Sequence, residues 1–385
     1  MRIGIDVRCL AEGKRTGVEE YTLALLKEFF LHDRENSYVL FFNAWKQSVP
    51  DFSWATHYPN VELKAFRFPN KLLNLTLWYL GWPKLDVLVG GTDVFFLPNL
   101  NFASFSLKTK VILTAHDLSF EMFPEMFSLK QRLWHYLLNF RRLTKRADKI
   151  IAVSQSTKDD LVSRYGLPEK KVTVIHSGVG EELAVMSRND PRLLAVKEKY
   201  HLPYKFILYL GTIEPRKNIL ALIQSFETLL RENHPAAEKY MLVIAGAKGW
   251  KYQAILDAIE ASPFRERILL PGFIEDADKA ALYNLASVFV YPSFYEGFGF
   301  PVLEAMSCGV PVITSHSSSL PEVVGEAGVM IDPYQPEELL RALEGLISDP
   351  ALGAALIDLG KKRAKAFTWK EAATQTLNLL KNPSP

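Results

Sequence analysis

The sequence predicts an α/β protein built from two doubly wound domains, and three observations carry that expectation. Short apolar runs alternate with helical patterns along the chain, which indicates a mostly parallel sheet covered by helices on both faces. The alternation starts afresh past the middle of the chain. The length of 385 residues is also too great for one ordinary core, since a domain takes roughly 100–200 residues.

In order, residues 2–7 read as a buried strand and 17–30 as a helix with Tyr21, Leu25 and Phe29 on one face. Strands follow over 37–43, 93–97, 110–115 and 149–153. Periodicity breaks over 178–191, where glycines, charges and Pro191 intervene. A second series then begins: a strand over 206–210, a helix over 219–230, and strands over 240–245, 268–270, 288–291 and 311–314. The expected domains are 1–185 and 186–367, with a last helix over 368–385 returning to the first. In such sheets ligands sit where strand ends meet helix starts. The loops at 9–17, 115–118, 211–218, 246–250 and 293–299 are therefore expected to line one cleft between the domains.

Composition narrows the function. With 48% hydrophobic and 23% charged residues the chain is globular, not disordered. A net charge of +2 gives no support for nucleic acid as a partner. Cys9 and Cys308 are too far apart in sequence to read as a metal or disulfide motif. No apolar run reaches spanning length, and the start lacks a signal-peptide core, so a cytoplasmic location is expected.

Four segments hold the candidate chemistry. Gly211-Thr212-Ile213-Glu214-Pro215-Arg216-Lys217-Asn218 joins a strand to a helix, so Arg216 and Lys217 stand beside a helix N-terminus. Two cations there make an anion site, against the commoner fate of solvated surface charges. The loop 12–17 has Gly13 and Gly17, which allow close approach of a ligand or simply a flexible turn. His116-Asp117 ends a strand, placed either for a cleft or as a structural pair in which Asp117 orients His116 or caps the next segment. Glu296 lies in the glycine-rich loop after the strand 288–291, and Glu304 eight residues on in the following helix. These carboxylates could accept from sugar or ribose hydroxyls, or act as a loop residue and a cap.

These blocks resemble glycosyltransferase family 4, retaining enzymes of the two-domain GT-B fold. The resemblance rests on Arg15-Thr16-Gly17-Val18 with Tyr21, His116-Asp117, Val153-Ser154-Gln155-Ser156 and the 211–218 block. It is completed by Glu296-Gly297-Phe298-Gly299-Phe300-Pro301 through Glu304 and by Ser307-Cys308-Gly309-Val310-Pro311-Val312. It implies a nucleotide-sugar donor held by the second domain. Gly17 N–H, Arg216 and Lys217 would meet the pyrophosphate, Glu296 with Gly297, Phe298 and Gly299 the sugar, and Glu304 the ribose. Phe273 and Ile274 would lie by the base, and His116 by the reacting centre. His116, Arg216, Lys217 and Glu296 are thus the catalytic candidates. The family displaces the leaving group from the front side, so no nucleophile is assigned. Arg216 and Lys217 would do the work that a divalent ion does in other transferases, which implies that no metal or other cofactor is used. Ser177 stands where the family often has Asn.

The expected donor sugar is mannose from GDP-mannose, and the acceptor a glycan or lipid-linked glycan bound by the first domain. The likeness is to bacterial mannosyltransferases of polysaccharide biosynthesis. Residues 66–84, with Trp78, Tyr79, Trp82 and Arg67, Lys71, Lys84, are basic and aromatic. So are residues 129–149, with Trp134, Tyr136, Phe140 and seven cations from Lys130 to Lys149. Such segments suit peripheral contact with an anionic membrane, or core-facing helices with a solvated basic side. A nucleotide-sugar epimerase of the same fold and a non-catalytic glycan-binding scaffold are the alternative functions.

Overall fold

The computed structural model describes residues 1–11, 17–45 and 50–383. They divide into two compact units: Met1–Phe120, Leu129–Gly178 and Thr368–Pro385 form the first, Glu121–Ser128 and Val179–Phe367 the second. Most of the expected loop 12–17, including Gly13, Arg15 and Thr16, lies outside the described residues.

The described part of the first unit holds β1 (Arg2–Asp6), β2 (Ser37–Asn43), β3 (Val61–Phe66), β4 (Val94–Leu97), β5 (Lys110–Ala115), β6 (Lys149–Ala152) and β7 (Val172–Val174). They form one parallel sheet in the order β3-β2-β1-β4-β5-β6-β7. The second unit holds β8 (Phe206–Leu210), β9 (Met241–Ala245), β10 (Ile268–Gly272), β11 (Val288–Tyr291), β12 (Val312–Ser315) and β13 (Gly328–Ile331). Their order, β10-β9-β8-β11-β12-β13, is again all parallel. Both sheets reverse direction of growth once, between β1 and β4 and between β8 and β11. That is where a doubly wound sheet opens a crevice.

The continuous apolar strands follow from burial on both faces. β8 and β11 are buried along their whole length. Strands β3, β7 and β13 are additions to the sequence reading. Their burial is mixed, and polar residues interrupt the apolar runs of β3 and β7, while β13 is a continuous apolar run of four residues. The helix Gly17–His32 buries Tyr21, Leu25 and Phe29, the stripe that the spacing predicts. The last helix, Trp369–Lys381, is capped by Thr368, whose hydroxyl accepts from Glu371 N–H. It belongs to the first unit, where the Trp369 ring meets Tyr21 edge-on at 5.7 Å.

The units divide between Gly178 and Val179, earlier than the expected break after 185. Residues 179–185 are tied into the second unit. Val179 N–H donates to Phe367 O at 3.2 Å, Ser307 Oγ donates to Leu183 O, and the Asn284 amide donates to Ala184 O at 2.9 Å. Residues 121–128 also group with the second unit, where Trp250 Nε1 donates to Met126 O at 2.8 Å.

Candidate functional site

In the second unit, β8 and β11 run side by side and their following loops meet. After β8 the chain makes a single tight turn, Pro215–Lys217, then enters the helix Ile219–Arg231 through Asn218 at φ 54°. Asn tolerates this left-handed conformation, and its amide is held by Pro333 O at 2.8 Å. After β11 the loop is joined to the first by Phe294 N–H donating to Arg216 O at 2.9 Å.

These turns bring Arg216, Lys217 and Glu296 together. Lys217 Nζ donates to Glu296 Oε1 at 2.6 Å and to Tyr291 Oη at 2.7 Å. Arg216 Nη1 donates to Glu296 Oε2 at 3.1 Å, and Nη2 to Glu214 Oε1 at 2.8 Å. All four charged side chains are nearly buried. Burial pushes the Glu296 carboxyl up, but Arg216 and Lys217 outweigh it and hold the group at about 2. Burial, reinforced by Arg216, pulls the Lys217 ammonium down against the opposing pull of Glu296 and Glu214. For Glu214 burial prevails over both cations and raises the carboxyl. The cluster therefore sets two cations against one firmly ionised carboxylate and one whose ionisation is opposed. The ammonium has three N–H groups, and two are engaged.

The backbone of Glu296 is fixed from β12's far end. Its N–H donates to Ser318 Oγ at 2.8 Å, and Ser319 Oγ donates to Glu296 O at 3.0 Å and Phe298 O at 2.9 Å. Ser318 sits at φ 52°, a left-handed conformation that costs energy outside glycine and clusters at functional sites. Sequence reasoning missed Glu214, Tyr291 and the serines of 317–319. The loop after a strand at 311–314 was the available signal.

Gly246, after β9, has φ 135°, and a Cβ there would fall 1.9 Å from Gly211 O. Only glycine lets these two strand ends close up. Gly299, at φ 105°, starts the helix Phe300–Ser307 with Pro301 in its first turn. Glu304 in that helix is buried, and one of its oxygens accepts from Tyr283 Oη at 2.7 Å. The two glutamates thus have separate partners. Phe298 is buried edge-on to Phe300 and Phe367. Of the pair after β10, Phe273 is exposed and Ile274 is in the core. Gly297 lies in the same loop as Glu296.

In the first unit His116 follows β5. A carbonyl only accepts, so His116 Nε2 donates to Pro98 O at 2.8 Å and Nδ1 is left as an acceptor. Tyr21 meets the ring edge-on at 4.8 Å. Burial lowers the imidazole pKa against Pro98 and Asp117, so the ring is neutral. Asp117 takes the capping role: Oδ1 accepts from Ser119 N–H at 2.9 Å and Ser119 Oγ at 2.7 Å. Ser154 caps the helix Gln155–Tyr165 through Thr157 N–H, which accounts for the Val153–Ser156 block. Gly17 opens the helix Gly17–His32.

A pocket of about 810 Å³ opens at the first unit's own switch point, where the β1, β2 and β4 ends converge. Carboxamides of Asn43, Asn70, Asn99 and Asn101 line it together with the Trp45 and Trp134 indoles. The Asn99 and Asn101 oxygens accept from the next backbone N–H, at 2.7 and 2.9 Å, which leaves their NH₂ groups to donate. Arg8 at its floor is neutralised by Asp6 through a two-pronged contact. Glu19 and Lys71 also line it, and polar groups that donate and accept beside flat aromatic faces suit a hydroxyl-rich ligand. Sequence reasoning passed over these asparagines, although Asn99 and Asn101 follow a strand's carboxyl end.

The model of Glycosyltransferase Family 4 matches residues 15–183, and that of Glycosyl transferases group 1 matches residues 195–363. The O-antigen chain mannosyltransferase B of Escherichia coli is 33% identical over 273 residues, covering 71% of this chain and 70% of that protein. A serotype-specific mannosyltransferase WbdA of Escherichia coli is 35% identical over 266 residues, 69% of this chain, which spans 32% of that longer protein. HepE of Anabaena, solved with UDP and glucose, superposes with a TM-score of 0.73 at 19% identity, covering 99% of each chain. Two family models in the expected order, a relative alike over most of both chains, and a fold shared along the whole length lead to one assignment: the chain belongs to glycosyltransferase family 4.

Proposed function

We propose that this glycosyltransferase moves a hexose, mannose from GDP-mannose as first choice, to a glycan or lipid-linked glycan acceptor in polysaccharide biosynthesis, with retention and without a metal. The observation that carries the reading is the buried Arg216–Lys217–Glu296 cluster at the switch point of the second sheet. Leaving-group departure adds negative charge to the nucleotide diphosphate. Cations already fixed where that charge develops stabilise it without reorganisation. Arg216 and Lys217 do this with the help of Glu296, which orients both. Each Glu296 oxygen uses one cation and has further lone-pair capacity for a sugar hydroxyl. Glu304 lies on the adjoining helix to take the ribose, with Tyr283 steadying it. The exposed Phe273 ring is the side chain offered to the base. His116, neutral and fixed by Pro98, serves the reacting sugar. The carboxamide and indole pocket of the first unit takes the acceptor sugar. The mannose choice leans on the two mannosyltransferase relatives.

The test is a panel of nucleotide sugars, read by released nucleotide diphosphate and by the anomeric configuration of the product. GDP-mannose turnover with retention is expected. No turnover of any donor would overturn the reading, and a changed sugar without transfer would make the protein an epimerase.

A further inference from the structure

Glu214 is a buried acid to which the transfer chemistry gives no task. It is the last residue before the turn Pro215–Lys217, in extended backbone at φ −151° and ψ 158°. Its side chain is 1% exposed. Oε1 accepts from Arg216 Nη2 at 2.8 Å, while Oε2 is buried and has no hydrogen-bond partner among the described residues. Glu296 is held differently: one of its oxygens meets Lys217 and the other Arg216. An unpartnered oxygen at this depth costs more when it shares a negative charge than when it is neutral. A proton on Oε2 removes the charge and keeps Oε1 as the acceptor that aims Arg216.

The surroundings decide how easily that proton is taken. Burial raises the Glu214 carboxyl, Arg216 and Lys217 oppose the rise, and the charge of Glu296 adds to it. Tyr209 of β8 and Tyr291 of β11 face Glu214 as buried, neutral phenols. The loop after β9 brings no charge against it: a Cβ on Gly249 would lie 3.4 Å from Glu214 Cβ. With Glu214 ionised, the two cations are matched by two carboxylates. With Glu214 protonated, one positive charge is left over for an incoming anion. We infer that Glu214 is a positioning residue with a proton-coupled charge: it aims Arg216 through Oε1 and takes a proton from solvent onto Oε2 when a nucleotide sugar binds. A neighbouring anion favours the neutral form of a carboxyl, so donor binding and protonation strengthen each other. This extends the reading of Arg216 and Lys217 as the diphosphate site and rests on it.

Titration calorimetry of the full chain with GDP-mannose, in buffers of different ionisation enthalpy between about pH 5 and 8, counts the protons taken up. The phosphates of this donor are diesters and do not titrate in that range. Wild type should take up as much as about one proton per donor, and its affinity should rise as pH falls, by up to about tenfold per unit. Glu214→Gln keeps an acceptor for Arg216 and carries no charge. It should bind donor more tightly than wild type at about pH 8, with no uptake and a flat pH dependence. Glu214→Ala loses the acceptor as well and should lower kcat about tenfold, a loss that Glu214→Gln does not share. Donor binding without proton uptake would overturn the inference and leave the donor reading standing. Uptake that persists in Glu214→Gln would assign the proton to Lys217, whose ammonium burial pulls down, and would overturn it too. No binding of any nucleotide sugar would overturn the donor reading and the inference with it. If Glu214→Gln does not fold, infrared spectra of wild type decide: the band of a protonated carboxylic acid should grow as donor binds, and an unchanged band would count against the inference.

Discussion

Lys217 Nζ lies 2.6 Å from Glu296 Oε1, and the two residues reach each other from loops that follow different, adjacent strands. Neither charge is tenable alone at this depth. Together they fix a cation at the mouth of the second sheet.

Lys217→Ala and Arg216→Ala should each lower kcat about 100- to 1000-fold, the usual effect of removing one donor from developing charge. Each also removes a partner of a buried carboxylate, costing about 1–3 kcal/mol of stability. Stopped or coupled assays of diphosphate release and urea unfolding check the two effects. On the proposal that the two cations stand in for a metal, addition of a strong chelator should leave wild-type turnover unchanged.

Glu296→Gln keeps the shape and removes the charge. The folded Glu296 carboxyl titrates at about 2, below the ordinary value near ~4.3. Its stabilisation is thus full above the ordinary value and is lost as pH falls toward 2. The stability advantage of wild type over Glu296→Gln should shrink as unfolding is measured at successively lower pH below about 5. Removing the carboxylate also removes what supports Lys217 protonation, so the alkaline limb of the activity profile should move to lower pH.

His116 is buried as the neutral imidazole. Its stabilising contribution is complete above the ordinary histidine value of ~6.5 and is lost as pH falls through that value toward the lower folded one. The Cε1–H resonance of His116, assigned by its absence in His116→Gln, should titrate below pH ~6.5. A midpoint at or above that value would contradict the burial argument.

Asn101→Ala and Trp134→Ala should raise the KM for acceptor, by about tenfold each, while hydrolysis of donor alone stays near wild type. One lost hydrogen bond or stacking face is worth about 1–1.5 kcal/mol. An equal rise in the KM for donor would move the pocket out of the acceptor role.

Gly246→Ala should lose at least about 2 kcal/mol of stability, because φ 135° disfavours any side chain and the added Cβ meets Gly211 O at 1.9 Å. An unaltered urea midpoint would be inconsistent with the packing of β8 against β9.

The sequence by itself determined the two doubly wound units, most of their strands and the helix Gly17–His32. Fully buried strands and one-sided helices print their periodicity directly into residue order. It also determined the loops after β8 and β11, since Arg216, Lys217 and Glu296 carry ionisable groups in glycine- and proline-punctuated turns. Strands β3 and β7 escaped because polar residues interrupt their half-buried apolar runs, and β13 was passed over although Gly328–Ile331 is continuously apolar. The first break was set too late, because the hydrogen bonds holding 179–185 come from Phe367, Ser307 and Asn284, far along the chain. Only the tertiary structure decided that the cations are already paired with Glu296 and Glu214 and that Glu304 answers to Tyr283. It also decided that Asn43 at the end of β2, Asn70 and Asn74 on the helix Asn70–Tyr79, and Asn99 and Asn101 after β4 share one pocket. Such partners meet through strand order, and strand order is a property of the folded sheet that spacing along the chain does not record.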